Sequence, residues 1–287
     1  MQVHDAVTAS KENTSNIQPK PFVKWVGGKS QIIQEITTRL PRTFTRYYEP
    51  FVGGGALFFH LQPKKACLSD INDELINVYN VVKNDVEALI KDLSKHVYEE
   101  AYFYNIREAD RSPSYKHWGT VRKASRFMYL NKTCYNGLYR VNSKGYFNTP
   151  FGSYQNPKIC DPENLRLCSQ ALQGVEICCS SYHLVEERSK PGDFVYFDPP
   201  YAPLTVTSNF TSYSKDGFGK EDQEELRNLC LRLDHKGVQW MVSNSSAPLI
   251  LDLYKNYNLE MISASRAINS KGTLRGKVKE VIIRNYA

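Results

Sequence analysis

Hydrophobic positions along the chain follow two periods in turn. Short apolar runs bounded by Gly, Pro, Asn and Asp read as strands, and apolar residues three and four apart read as helices. From residue 21 to about residue 70 the order is loop, helix, strand, glycine loop, helix, strand. An amphipathic helix opens at Ser30 and closes near Leu40-Pro41, a strand spans 47–49, a helix resumes at Ala56 and a second strand spans 65–70. From residue 162 strands and helices alternate again over 175–179, 194–198, 226–233, 238–243, 249–254, 259–263 and 278–285. Between these regions the helical period dominates, with Leu75, Val78, Tyr79 and Val82 as one face and Val86, Leu89, Ile90 and Leu93 as the next. This middle stretch ends in a Gly-, Pro- and Asn-rich segment, 135–157, expected to form loops with a short hairpin. The pattern predicts a doubly wound α/β sheet interrupted by a mostly helical insertion. Residues 1–20 read as a flexible tail, 21–73 and 162–287 as one discontinuous domain, and 74–161 as the inserted unit.

Charge singles out the insertion. The chain carries a formal +7, yet residues 107–158 hold ten bases against two acids, a net +8, so the remainder is close to neutral. The same span interleaves eight tyrosines from Tyr102 to Tyr154 with Asn131, Asn136, Asn142 and Asn148. Bases, aromatics and amides together suit phosphates, stacked bases and base edges, so the insertion is a candidate nucleic-acid surface. The seven cysteines lack C-x-x-C spacing and the six histidines lack H-x₃-H pairing, which favours reduced thiols in a cytoplasmic protein over zinc or disulfides. No apolar run approaches a membrane span, and residues 1–20 have no apolar signal core. A monomer is the default expectation.

Candidate chemistry begins where the run 193–197 ends in Asp198-Pro199-Pro200-Tyr201. Two prolines remove two backbone donors and stiffen the chain at a strand end. A carboxylate, a free Pro199 carbonyl and an aromatic face remain, a clamp for an amino group on a flat ring. Alone, the tetrapeptide also fits an ordinary strand-end turn with an exposed Tyr.

A second feature is Glu49-Pro50-Phe51-Val52-Gly53-Gly54-Gly55, a strand entering a glycine turn and then a helix. Glycine lets the backbone approach a ligand closely, and Asp70 at the tip of the next strand can accept from a ribose diol. Neither G-x-G-x-x-G nor the Walker pattern is present, and Glu49 would repel a pyrophosphate. A cationic or zwitterionic nucleoside without phosphate fits better, and S-adenosylmethionine has that chemistry. Lys24-Trp25-Val26-Gly27-Gly28-Lys29 precedes the loop and offers Trp25 as an aromatic wall and Lys29 as a carboxylate partner.

Together these motifs resemble the Dam-type, α-ordered D12 class of DNA adenine methyltransferases, over residues from about 21 to the C-terminus. Five landmarks stand in family order: Lys24 to Lys29, Glu49 to Gly55, Asp70-Ile71-Asn72, the recognition segment containing Tyr135-Asn136-Gly137-Leu138-Tyr139-Arg140 and Phe147 to Gly152, and Asp198 to Tyr201 with Asn209-Phe210-Thr211. The resemblance implies a Rossmann-like methyltransferase fold and methylation of the 6-amino group of adenine in double-stranded DNA. It implies that Trp25, Lys29, Asp70 and Asp198 line the cofactor site, with Glu49, Phe51, Gly53 and Gly55 of the loop, and that Tyr182 borders the cofactor adenine. Tyr135 would wedge into the base stack and Asn136 would hold a phosphate, while Lys24, Leu138, Arg140, Pro150 and Tyr154 would read a palindrome such as GATC. Ser153 stands where many relatives place a second Arg.

The implied mechanism is base flipping, with Tyr201 stacked on the extruded ring while Asp198 and the Pro199 carbonyl accept from its amino group. It needs no metal. Residues 209–213, including Asn209, would form either a flap over the base or a plain surface loop, and Lys271 and Arg275 would grip phosphates. Three alternatives differ at stated positions. RNA or protein amino-methyltransferases usually carry Asn at the first clamp position; a non-catalytic DNA-binding regulator would have lost Asp70, Asp198 or Tyr201; a nicotinamide-dependent oxidoreductase would carry the absent glycine fingerprint.

Overall fold

Phe194-Val195-Tyr196-Phe197 is apolar throughout and forms a strand with every side chain buried, as expected where helices cover both faces of a parallel sheet. The computed structural model describes residues 18–204, 218–265 and 277–287. Its strands are β1 (Tyr47–Glu49), β2 (Ala66–Asp70), β3 (Glu176–Cys179), β4 (Phe194–Phe197), β5 (Gln239–Ser245), β6 (Asn258–Ser265) and β7 (Lys277–Arg284). Among the described residues they form one sheet of order β3-β2-β1-β4-β5-β7-β6, with β1 to β5 parallel and β7 antiparallel between β5 and β6. The chain winds outward from β1 to β3, then returns to place β4 on the other side of β1. The crevice between the ends of β1 and β4 is therefore the topological switch point, where such sheets bind ligands.

Alternation along each strand divides the core in two. Tyr47, Leu68, Phe194, Tyr196, Met241 and Ile282 pack under α1 (Ile33–Thr37), α2 (Ala56–Leu61), α3 (Asp73–Asn84) and α7 (Pro162–Ala171). Tyr48, Cys67, Val195, Phe197, Trp240 and Val242 face α8 (Leu184–Arg188), α9 (Lys220–His235) and α10 (Pro248–Leu253). The doubly wound α/β sheet expected from the sequence is thus present. The helix expected to open at Ser30 is instead a 3-10 turn, Lys29–Gln31, followed by the short α1, because the Lys29 side chain is drawn inward and buried. The chain is also anchored earlier than the expected tail allows: the Lys20 N–H donates to Asn164 Oδ1 at 2.8 Å and its carbonyl accepts from Asn164 Nδ2 at 2.9 Å.

The middle of the chain adds α4 (Val86–Leu93), α5 (Glu100–Glu108) and α6 (Thr120–Thr133). Hydrophobic packing does not break at residue 74. Helix α3, capped by Asn72 with Asp73 and Glu74 in its first turn, contributes Leu75, Val78, Tyr79 and Val82 to the core beneath the sheet. Helix α6 joins the same core through Ala124, Phe127 and Met128, while its other side builds a smaller core of Phe103, Tyr129, Leu130, Cys134 and Phe147. The expected hairpin is reduced to the bridges Cys134–Phe151 and Val141–Phe147.

Gly55 fixes the turn from β1 into α2. It sits at φ +68°, and a Cβ there would lie 2.5 Å from the Tyr79 hydroxyl, which donates to the Gly53 carbonyl at 3.0 Å. Gly55→Ala is expected to destabilise the protein by about 1–3 kcal/mol in urea unfolding, from left-handed strain plus the displaced Tyr79. Parental stability would show that the loop can relax around a methyl group.

Candidate active site and nucleic-acid interface

Parallel strands deliver their carboxyl ends to one edge, and three acids arrive there: Glu49 ends β1, Asp70 ends β2 and Asp198 follows β4. Among the described residues, Lys29 answers the last of them. Lys29 Nζ lies 2.7 Å from Asp198 Oδ1, donates to the Gly27 carbonyl and sits 4.8 Å above the Tyr201 ring. Burial pushes the Asp198 carboxyl up to about 6, against the opposing pull of Lys29 and with help from the Glu280 charge. Its side chain keeps 19% of its surface open. Asp70 is held differently. Its oxygens accept from Gly53 N at 3.2 Å and Asn72 N at 3.0 Å, which aims it beside the glycine loop, and burial raises its pKa.

Glu49 departs from the role its charge suggested. It is buried, accepts from the Tyr47 hydroxyl at 2.8 Å, and burial, reinforced by the nearby Asp198 charge, pushes it up to about 8. At neutral pH it is mostly a neutral acid, so Glu49 does not supply the charge that would repel a pyrophosphate.

Aromatic residues wall the same edge. Phe51 stacks on Tyr182 with centroids 5.3 Å apart, and Phe218 meets both rings edge-on. Trp25 stands against the loop, where a Cβ on Gly53 would fall 2.5 Å from its ring, and stacks on Phe127 and Tyr139 of the insertion. This set fits S-adenosylmethionine: carboxylates for a ribose and a cation, one lysine for a carboxylate, and flat apolar rings for adenine. A metal-like grouping lies elsewhere, Cys67, Glu176 and Cys178, but Arg46 and Arg188 both pair with its carboxylate and compete with any cation there.

The base-reading candidates gather beside this pocket through a buried amide. Asn131 Oδ1 accepts from Lys24 N at 2.7 Å, and its Nδ2 donates to the carbonyls of Lys24 and Gly137 at 2.8 and 3.0 Å. One side chain thus joins the N-terminal turn to the segment carrying Tyr135, Asn136 and Leu138. Lys24 Nζ lies 4.1 Å over the Tyr154 ring, and the Tyr154 hydroxyl donates to the Cys134 carbonyl at 2.9 Å. Tyr135 N donates to the Pro150 carbonyl, the residue is 47% exposed, and Asn136 adopts φ 54°. Arg140 is exposed on the neighbouring turn, where Asn148 Oδ1 accepts from its Nε at 2.7 Å. Asn131 and Asn148 are orienting residues whose roles the sequence pattern left unassigned; their place among tyrosines and bases was the available signal.

Other members of the basic segment are structural. Arg126 is 2% exposed and pairs with Asp110 at 2.7 Å while donating to the Ile106 and Arg107 carbonyls. Tyr115 and Tyr139 both donate to Glu74, and Tyr129 is fully buried. The usable positive face is smaller than the charge count implied. Asn209, Lys271 and Arg275, with the expected flap, lie outside the described residues.

Comparison with known proteins agrees with this arrangement. The profile of the family described as D12 class N6 adenine-specific DNA methyltransferase matches residues 25–268. The chain is 45% identical over 276 residues to the type II methyltransferase M1.LlaDCHI of Lactococcus lactis subsp. cremoris, covering 95% of this chain and 97% of that protein. It is 43% identical to the type II methyltransferase M.MjaIII of Methanocaldococcus jannaschii, covering 94% and 100%. It is 34% identical to the DNA adenine methylase of Escherichia coli K12, covering 92% and 94%.

The raised Glu49 carboxyl has a measurable consequence. The folded state holds this proton more tightly than the unfolded chain, whose Glu ionises near 4.5, so Glu49 costs stability increasingly as pH rises from there to about 8. Glu49→Gln is expected to raise the melting temperature over the parent at about pH 8, with the difference shrinking towards about pH 5. An offset independent of pH in paired thermal melts would reject the assignment.

Proposed function

Because the chain belongs to the D12 class of N6 adenine-specific DNA methyltransferases, which use S-adenosylmethionine, we propose that it flips adenine from duplex DNA, within GATC, and methylates it at the corner formed by Asp198, Pro199 and Tyr201. One observation carries this reading: the acceptor corner opens at the switch point, paired with Lys29, and Lys24 on the same turn reaches the base-reading face.

When bound, S-adenosylmethionine supplies an electrophilic methyl group. Asp70 would accept from the ribose hydroxyls, Lys29 would pair with the carboxylate, and the stacked pair Phe51 and Tyr182 would border the cofactor's adenine. On the substrate side, Tyr135 fills the gap in the stack, Asn136 holds a phosphate, and unstacking costs a few kcal/mol. Tyr201 stacks on the extruded ring. One Asp198 oxygen faces Lys29 and the other accepts an N–H of the 6-amino group, while the Pro199 carbonyl accepts the second. These bonds draw the nitrogen out of conjugation and aim its lone pair at the methyl carbon, so the rate arises from positioning and acceptor electrostatics. The Asp198 carboxyl, pushed up to about 6, is suited to receive the departing proton.

Arg140 reads guanine through its outer N–H pair. Asn148 occupies its Nε edge, so the fork is presented in one orientation, and Lys24, Leu138, Pro150 and Tyr154 complete the reading face. The discontinuous sheet domain thus holds the reaction, and the insertion holds the sequence reading.

Incubation with plasmid and labelled cofactor, followed by single-molecule mapping, is expected to find N6-methyladenine in GATC; label at another base or site would reject the reading. Asp198→Ala is expected to abolish transfer while retaining duplex binding in a mobility-shift assay, and parallel loss of both would assign Asp198 a structural role. Arg140→Ala is expected to cost about 1–3 kcal/mol in kcat/KM and to relax selection at one guanine. An even loss across all sequences would move Arg140 to the phosphate backbone.

A further inference from the structure

The turn after β4 is held from three elements. Gln223 of α9 donates to the Pro200 carbonyl at 2.8 Å, Asn244 Oδ1 accepts from Ala202 N at 3.1 Å, and Ser245 Oγ donates to the Ala202 carbonyl at 2.5 Å. Those contacts fix backbone. One contact reaches the ring: the Tyr201 hydroxyl donates to Glu280 Oε2 at 2.9 Å. Glu280 lies on β7, in register with Ser245 of β5 and Ile262 of β6, so the antiparallel strand carries this carboxylate to the mouth of the switch point.

We propose that Glu280 is a positioning residue for methyl transfer: its carboxylate anchors the Tyr201 phenol and fixes the plane on which the flipped adenine stacks. The inference rests on the assignment of Tyr201 as the stacking face. Tyr has two side-chain torsions, and the backbone tethers leave both free. A charged acceptor at the hydroxyl removes that freedom with a hydrogen bond stronger than a neutral one. Lys29 approaches a ring face at 4.8 Å, so the ring is held at its tip by an anion and over its face by a cation. Burial raises the Tyr201 hydroxyl well above its ordinary pKa, so it remains a donor across the working range. Anchoring also places negative charge against the phenol, which enriches the ring facing an amine that gains positive charge as it is methylated.

The test uses the full chain as parent, Glu280→Ala, Glu280→Gln, Tyr201→Phe and the Glu280→Ala/Tyr201→Phe double variant. Readouts are single-turnover methylation of a GATC duplex and emission from 2-aminopurine at the target position. Glu280→Ala and Tyr201→Phe are each expected to slow transfer about tenfold, since both lose the same charge-assisted bond. The double variant should be no slower than either, emission should rise as stacking loosens, and Glu280→Gln, whose amide oxygen still accepts, should recover most of the rate. Tyr201→Phe keeps the test decisive if Glu280→Ala does not fold. Parental rate and emission in Tyr201→Phe, or losses that multiply in the double variant, would overturn the proposal. Failure of the parent to methylate would instead strike the assigned function.

Discussion

A lysine ammonium and an aspartate carboxylate 2.7 Å apart, both largely withdrawn from water, organise the rest of this molecule. Neither charge would be tolerated alone at that depth, and removing one would leave the other uncompensated. Lys29 opens the first helical turn and Asp198 ends β4, so their pairing ties the N-terminal turn to the middle of the sheet. Trp25 and Lys24 ride on that turn. Asn131 then binds Lys24 to Gly137, and the tie extends into the segment carrying Tyr135 and Leu138. The glycine-loop edge, the Asp198 corner and the exposed turn bearing Lys24 are thus three parts of one arrangement anchored at the switch point.

The acids around the crevice have different duties because their surroundings differ. Glu49 is buried beneath the sheet edge and holds its proton. Asp70, its pKa raised by burial, is aimed by two backbone N–H groups. Asp198 is poised near neutrality with one side open, and Glu280 holds a tyrosine. Carboxylates of similar sequence appearance are given different proton affinities and partners by desolvation and neighbours.

The insertion shows the same sorting among bases and aromatics. Arg126 is spent on Asp110 and two carbonyls, and Tyr115 and Tyr139 are spent on Glu74, which fastens the basic segment to α3. Arg140, Lys24 and Tyr135 are left on the outer face. Helix α6 packs into the sheet core on one side and into its own small core on the other, which ties this segment to the sheet.

Much of this was legible in the chain itself. Short apolar runs bounded by Gly, Pro, Asn and Asp announced the strands; Phe194–Phe197 was apolar throughout because both faces are covered. Gly53 and Gly55 marked a close backbone approach, and the order of the motifs from Lys24 to Tyr201 identified the family. What local pattern could not carry was partnership across long separations. That Glu49 holds a proton, that Arg126 is internal, that Asn131 is a clamp and that Glu280 reaches Tyr201 all depend on which distant groups the sheet order brings within about 3 Å. Desolvation and hydrogen bonding act over that range in space, and the sequence specifies it only through the completed fold.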